Sequence, residues 1–264
     1  MKIAIIGCGN MGQGLAQRLT NTTQVSFYDR NPEKTGKLEQ AGFGKAFSDC
    51  AQMIEQADMV ILAVKPQSLK ETANQIADNL KEHQTLVSLL TGTSIELLRG
   101  FFPAPTIVRM MPNMALVCGE GVIGLVADEK MSQQDKDALS KIFETLGTIY
   151  WLPESKINAL TALTGSGPAF FFLMVEAMVD AGIAMGFSAK DAQGLVYQMV
   201  QGSLTLLEKT EKHPGELKWQ ITSPQGTTIA GIKKLEELAL RGSIINTFLA
   251  AYECANQLSS RKVD

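Results

Sequence analysis

Continuous apolar runs alternate with amphipathic stretches through the first half of the chain. Residues 3–6 (Ile3-Ala4-Ile5-Ile6) and 59–64 hold no polar position, the mark of strands buried on both faces. Runs at 25–28, 85–90, 106–110, 121–126 and 148–152 predict further strands. Residues 11–19, 32–41, 67–80 and 132–146 read as helices between them. Ser48 is placed to cap a short helix ending near Ala57. Pro32 suits a first helical position, and Gly42 ends that helix. Thr93-Ser94-Ile95-Glu96 fits a capping box for another helix. Strands alternating with helices predict an α/β domain with a doubly wound, mostly parallel sheet.

After Pro153 the pattern changes and no further strand is legible. Ser155, Pro168, Ser188 with Asp191 and Pro214 mark helix starts, and residues 227–240 and 243–259 read as helices. Gly182, Gly186 and Gly242 punctuate them. The expected division is an α/β domain over 1–152 and an all-helical domain over 153–264. The helix beginning at Pro168 carries Phe170-Phe171-Phe172-Leu173-Met174-Val175, which covers every face. Such a helix must be buried all round. Either it is the central helix of the domain's own bundle, or a second copy of the chain helps to cover it; the small size of the domain favours the second copy.

Composition narrows the function. The 264 residues are 45% hydrophobic and 19% charged with a net charge of -3, so nothing resembles the basic footprint of a nucleic-acid binder. Aromatics are sparse, which argues against stacking platforms for single strands. Cys8, Cys50, Cys118 and Cys254 lack the spacing of a disulfide framework or zinc site. With only His83 and His213 besides, no metal is expected. His83 reads as a solvated helix-end residue, and His213 has no obvious partner. The chain passes from Met1-Lys2 straight into a strand, so no signal peptide is expected. The most apolar stretch, 168–187, carries Glu176 and Asp180. No membrane partner is therefore expected, and the expected location is the cytoplasm.

Gly7-Cys8-Gly9-Asn10-Met11-Gly12 follows the first strand and opens a helix. That is the context of the Rossmann dinucleotide fingerprint. The first glycine makes a tight turn, the second admits the pyrophosphate and the third lets helix and strand pack closely. The helix start adds free N–H groups and partial positive charge. The competing reading is a glycine turn with no ligand. Asp29 ends the second strand, where a carboxylate takes the ribose hydroxyls of NAD. Arg30 and Asn31 follow at once, and a cation there can hold the 2′-phosphate of NADP; Arg30 could equally be a solvated surface charge. The sequence leaves NADPH and NADH both open. Ala63-Val64-Lys65-Pro66 and Met111-Pro112-Asn113 leave the carboxyl ends of strands, where ligands of open sheets lie. Lys65 alone could be a surface lysine, and Asn113 could meet the nicotinamide or merely cap a turn.

Near the far end, Ser223-Pro224-Gln225-Gly226-Thr227-Thr228 opens into a helix. Unpaired N–H groups and three hydroxyls around a glycine suit a carboxylate, although Ser or Thr also makes an ordinary N-cap. Thr164-Gly165-Ser166-Gly167-Pro168 forms a second glycine loop, either a packed helix start or a surface facing the cofactor. A dinucleotide site and a small-anion site together point to a two-substrate enzyme. No Ser/His/Asp arrangement is legible. Hydride transfer needs none, because the cofactor carries the hard step. A threonine hydroxyl is a weak acid, adequate for an imine that arrives protonated.

Taken together, the motifs resemble those of the pyrroline-5-carboxylate reductase family. Gly7-Cys8-Gly9-Asn10-Met11, Ala63-Val64-Lys65-Pro66, Arg109-Met110-Met111-Pro112-Asn113, Gly165-Ser166-Gly167-Pro168-Ala169 and His213-Pro214-Gly215 leading to Thr222-Ser223-Pro224-Gln225-Gly226-Thr227-Thr228 carry the likeness, which spans nearly the whole chain. The resemblance implies reduction of 1-pyrroline-5-carboxylate, a cyclic imino acid, to L-proline with NADPH or NADH. It implies a Rossmann-type domain over 1–152 followed by a helical substrate-binding and dimerisation domain over 153–264. It further implies an intertwined homodimer, sometimes assembled into a decamer. The substrate carboxylate would lie at Ser223, Gly226, Thr227 and Thr228, with the Thr228 hydroxyl at the ring nitrogen and Glu211 nearby. Two departures stand out. Gln225 replaces the first of two glycines, and Met114-Ala115 replaces the family's Thr-Pro. Competing readings are a β-hydroxyacid dehydrogenase, against which the absence of lysine between Phe170 and Lys190 counts, and a non-catalytic cofactor-binding dimer.

Overall fold

The computed structural model describes residues 1–260; residues 261–264 of the expected second domain lie outside them. Eight strands form one sheet in the order β3-β2-β1-β4-β5-β6-β7-β8. They are β1 Lys2–Ile6, β2 Gln24–Tyr28, β3 Lys45–Ala46, β4 Met59–Leu62, β5 Thr85–Ser88, β6 Thr106–Pro112, β7 Gly121–Ala127 and β8 Gly147–Trp151. All pairings are parallel except that of β6 with β7, so the last two strands run against the first six. Helices α1 Asn10–Leu19, α2 Pro32–Gln40, α3 Cys50–Glu55, α4 Leu69–Ile76, α5 Ile95–Phe101 and α6 Gln133–Phe143 make the crossovers.

The uninterrupted apolar strands arise because both faces are covered. Ile3, Ile5, Ile61, Val87 and Val108 pack with Leu15 and Leu19 of α1 in one cluster. Their alternate neighbours Ala4, Ile6, Val60, Leu62, Leu86 and Ile107 pack with Met53, Leu69, Ile76 and Leu98 in another. The period-two geometry of a strand sends successive side chains to opposite layers.

Two caps fall one residue beyond their expected places. Asp49, not Ser48, caps α3 by accepting from the Ala51 N–H. Ser94 caps α5 by accepting from the Leu97 N–H at 3.1 Å, so no box forms between Thr93 and Glu96. Ser94 has the extended backbone a cap requires (φ -74°, ψ 161°), whereas Thr93 is buried. The short strand β3 had no periodic signal because it is only two residues long.

A larger difference lies after β8. The stretch expected to be a glycine loop is helical. A single turn of 3-10 helix, Glu154–Lys156, leads into α7 Ile157–Leu160 and then a π-helical segment, Thr161–Ser166. This passes directly into α8 Gly167–Ala184. By length and apolar composition alone, the run Glu154–Ala184 is also one that could cross a membrane.

Arg109 of β6 anchors the start of this run. Its side chain is 8% exposed, and Nη1 donates to Glu154 Oε1 at 2.7 Å. The same oxygen accepts from the Ile95 N–H at 2.9 Å. Arg109 Nη2 is buried without a hydrogen-bond partner, so neutralisation of the guanidinium rests on Glu154. We expect Glu154→Ala to destabilise the protein by about 2 kcal/mol in urea unfolding, less than for a fully buried pair because water reaches Glu154. Unchanged stability would show that solvent already satisfies Arg109.

The described residues divide into two compact units, Met1–Gly165 with 252–260, and Ser166–Ala251. The second holds α8, α9 Ala189–Thr210, α10 Pro214–Gln220, α11 Thr227–Glu237 and most of α12 Leu240–Ser260. Gly182 of α8 packs on Ala192 of α9, where a Cβ would lie 2.9 Å from the alanine methyl. Phe170 meets Phe248 edge-on with ring centroids 5.3 Å apart. Much of the apolar surface stays uncovered in one chain: Phe172, Leu173, Leu195, Met199 and Leu204 are all more than half or about half exposed.

Candidate active site

A cleft of about 280 Å³ lies at the carboxyl ends of β1, β2 and β4. Gly7, Gly9, Asp29, Arg30, Ala63, Val64 and Lys65, all singled out in the sequence, line it. Gly7 has φ +100°, and a Cβ there would lie 2.7 Å from the Ala63 carbonyl oxygen. A Cβ on Gly12 would collide with the Gly7 carbonyl. A Cβ on Gly9, which lines the cleft, would meet nothing beyond its chain neighbours within 4 Å. Gly7 and Gly12 thus have no room for a side chain in the turn, whereas Gly9 does. Gly9 starts α1 with no side chain capping it, so the N–H groups of Asn10, Met11 and Gly12 have no intrahelical acceptor and could receive an anion.

Asp29 orders this turn. Its Oδ2 accepts from the Cys8 N–H at 2.7 Å and its Oδ1 from the Asn31 N–H at 2.9 Å. Lys34 Nζ lies 3.7 Å from the same carboxylate. Asn31 is occupied as the cap of α2, accepting from the Glu33 N–H. Arg30 is exposed and pairs with Glu71 of α4 at 2.7 Å. Cys8 is no nucleophile: burial, with the Asp29 charge adding, pushes its thiol up to about 12. Ile6, Tyr28, Lys34, Ser68, Glu71, Thr72 and Gln75 complete the walls. Sequence reasoning missed these seven. Lys34, one helical turn beyond Arg30, was the one with a readable signal.

Other expected residues lie off the cleft wall. Pro66 starts a 3-10 turn after β4. Met111 is buried in a separate cluster with Val126 and Ile157, on the face of β6 opposite Met110. Asn113 is also buried. Its Nδ2 donates to the Thr164 carbonyl at 3.1 Å, and its Oδ1 accepts from the Val122 N–H at 3.1 Å. Both ends of the amide therefore tie β7 to the π-helical segment, whose register shift leaves carbonyls needing donors.

In the second unit, Gly226 is the N-cap of α11 and no side chain caps it. The N–H groups of Thr227 and Thr228 are thereby left without intrahelical acceptors. Gly226 donates its N–H to the Ser223 carbonyl at 3.2 Å, and a Cβ on Gly226 would strike the Ser223 hydroxyl. Ser223, Thr227 and Thr228 so gather around one helix start that can hold a carboxylate. Glu211 is the left-handed C-cap of α9 and is exposed. His213, which had no evident partner in the sequence, caps α10 by accepting from the Gly215 N–H at its Nδ1.

Gln225 sits at φ +60°. The left-handed region costs an L-residue about 1–2 kcal/mol, which explains why glycine is favoured at this position. Gln225→Gly is expected to stabilise the protein by about 0.5–1 kcal/mol after the added flexibility of the unfolded chain is set against the relief. A lower melting temperature in this variant would show that the glutamine side chain makes a compensating contact.

A parallel-rich sheet whose glycine turn and helix start face a cleft, joined to a helical unit, defines a dinucleotide-binding oxidoreductase. The family model described as NADP oxidoreductase, coenzyme F420-dependent, matches residues 2–92. That for pyrroline-5-carboxylate reductase dimerisation matches residues 154–258. Pyrroline-5-carboxylate reductase of Methanosarcina acetivorans is 34% identical, over 98% of this chain and 98% of its own. That of Aquifex aeolicus is 33% identical over 99% and 96%. The crystal structure of the Plasmodium falciparum pyrroline carboxylate reductase with NADP bound superposes with a TM-score of 0.90 at 27% identity, covering 98% of each chain. The structure of a pyrroline-5-carboxylate reductase from Coxiella burnetii gives a TM-score of 0.88 at 32% identity, again over 98% of each. The chain belongs to the pyrroline-5-carboxylate reductase family.

Proposed function

We propose that this protein reduces 1-pyrroline-5-carboxylate to L-proline with NADPH or NADH, the final step of proline biosynthesis. The observation that carries this reading is the pair of uncapped helix starts, at Gly9 and Gly226, in a chain matched end to end by reductases of this name. When bound, the cofactor supplies a hydride to the C=N carbon. In the proposed division, 1–152 holds the cofactor and 153–264 the substrate and dimer contacts. Gly7, Gly9, Gly12 and the N–H groups of Asn10 and Met11 cradle the pyrophosphate. Asp29, Arg30 and Asn31 serve the adenosine end, and the Ala63-Val64-Lys65-Pro66 turn with Met111 and Asn113 shapes the nicotinamide side, Asn113 through the backbone it fixes.

The substrate carboxylate is held by the N–H groups and hydroxyls at Ser223, Gly226, Thr227 and Thr228, with Glu211 nearby. The Thr228 hydroxyl stands at the ring nitrogen and donates to the lone pair that develops there as hydride adds. The imine arrives protonated, so hydride addition converts an iminium to a neutral amine, and solvent then supplies the second amine proton. The protein acts through position and hydrogen bonding, with no covalent intermediate. Among the described residues no group of His, Cys, Asp and Glu is placed to hold a metal. The absence of a lysine from α8 speaks against a β-hydroxyacid dehydrogenase.

A second copy of this chain covers the exposed apolar surface of α8 and α9. Lipid would be a poor cover, because Glu176 and Asp180 would each cost about 2.5–3.5 kcal/mol near a bilayer centre. The assembly is a homodimer, or a decamer of such dimers, working in the cytoplasm without nucleic-acid or membrane partners. The test is to follow oxidation of NADPH, and separately NADH, with 1-pyrroline-5-carboxylate present and to assay proline. Oxidation matched by proline supports the reading. Cofactor binding without turnover would favour a non-catalytic binder instead.

A further inference from the structure

We infer that Glu71 is a specificity-determining residue that holds Arg30 away from the 2′-phosphate and so shifts cofactor choice toward NADH; this rests on the cofactor reading above. Both side chains line the same cleft. Arg30 follows the end of β2, and Glu71 lies in the first turn of α4. Their contact, Nη1 to Oε2 at 2.7 Å, ties the cleft's most phosphate-suited side chain to a carboxylate. Of the two lysines that also line the cleft, Lys34 lies 3.7 Å from Asp29, and Lys65 is at the end of β4.

The two cofactors differ by the 2′-phosphate, which adds a charge of about -2 near neutral pH. NADH requires nothing of Arg30 and leaves its pair with Glu71 intact. NADPH requires the guanidinium to leave Glu71 and then sets a dianion beside the abandoned carboxylate. Both steps act against NADPH alone. The pair is exposed on both sides, so the effect is modest and screened by salt.

The test is fluorescence titration of full-length wild type and Glu71→Gln with NADPH and with NADH, with no substrate present. The glutamine keeps the size and a hydrogen-bonding tip but removes the charge. NADPH should bind about fivefold tighter to the variant at low salt, the scale of one exposed ion pair. NADH should stay within about twofold, and the NADPH gain should shrink at high salt. An equal change for both cofactors would overturn the inference, as would weaker NADPH binding, which would mean that Glu71 positions Arg30 for the phosphate. Wild type that binds neither cofactor would overturn the cofactor reading itself.

Discussion

Thr228→Ala is expected to lower kcat by about 100-fold, the scale of one hydrogen-bond donor aimed at the reacting atoms, and to leave the affinities for NADPH and NADH unchanged. Thr228 is the second residue of α11 and half-buried beside the uncapped Gly226. As hydride arrives, a lone pair grows on the ring nitrogen, and a hydroxyl that donates to it binds more tightly in the transition state than in the ground state. Such an interaction appears in kcat rather than in KM. Thr228→Ser keeps the hydroxyl and should retain most of the rate. Thr228→Val keeps the shape without the hydroxyl and should fall with the alanine variant. Steady-state kinetics with cofactor titrations on all three separates the alternatives. Full turnover in Thr228→Val would remove this hydroxyl from the mechanism.

The sheet was legible because its signal is local. Strands such as β1 and β4 are apolar at every position since both layers cover them, and the glycine turn reports its own backbone demand. Gln225 was legible only through the family resemblance. It stands where the family has glycine, and it occupies left-handed backbone. What sequence could not give depends on distant partners. Asn113 ends a strand as a ligand-binding asparagine would, yet its amide bonds Thr164 and Val122, contacts no local pattern encodes. Gly165-Ser166-Gly167 reads as a loop by composition, yet the apolar run on both sides carries the helix through it as a π-helical segment. Glu71 shows no motif at all. Its importance comes from α4 bringing it to Arg30 across 41 positions of sequence.

Among the three glycines of the turn, only Gly9 can separate folding from cofactor binding. Gly7 needs φ +100°, and Gly12 abuts the Gly7 carbonyl. A side chain at either disturbs the turn itself, so a loss of binding there would have two explanations. Gly9 has φ -72° and ψ -174°, backbone that any residue adopts, and its Cβ would touch no protein atom beyond its chain neighbours within 4 Å. Gly9→Ala should therefore melt within about 1 °C of wild type, since no named source of destabilisation applies. Its methyl would stand where a pyrophosphate must approach the N–H groups at the start of α1. Affinity for NADPH and NADH should fall alike, by about 100-fold, because the methyl excludes the part of the ligand the two share and forfeits charge-assisted hydrogen bonds. Calorimetric melting and cofactor titration on the same preparation decide the matter. Unaltered affinity would mean that the phosphates do not lie over Gly9, and the assignment of this cleft to the cofactor would fall with it.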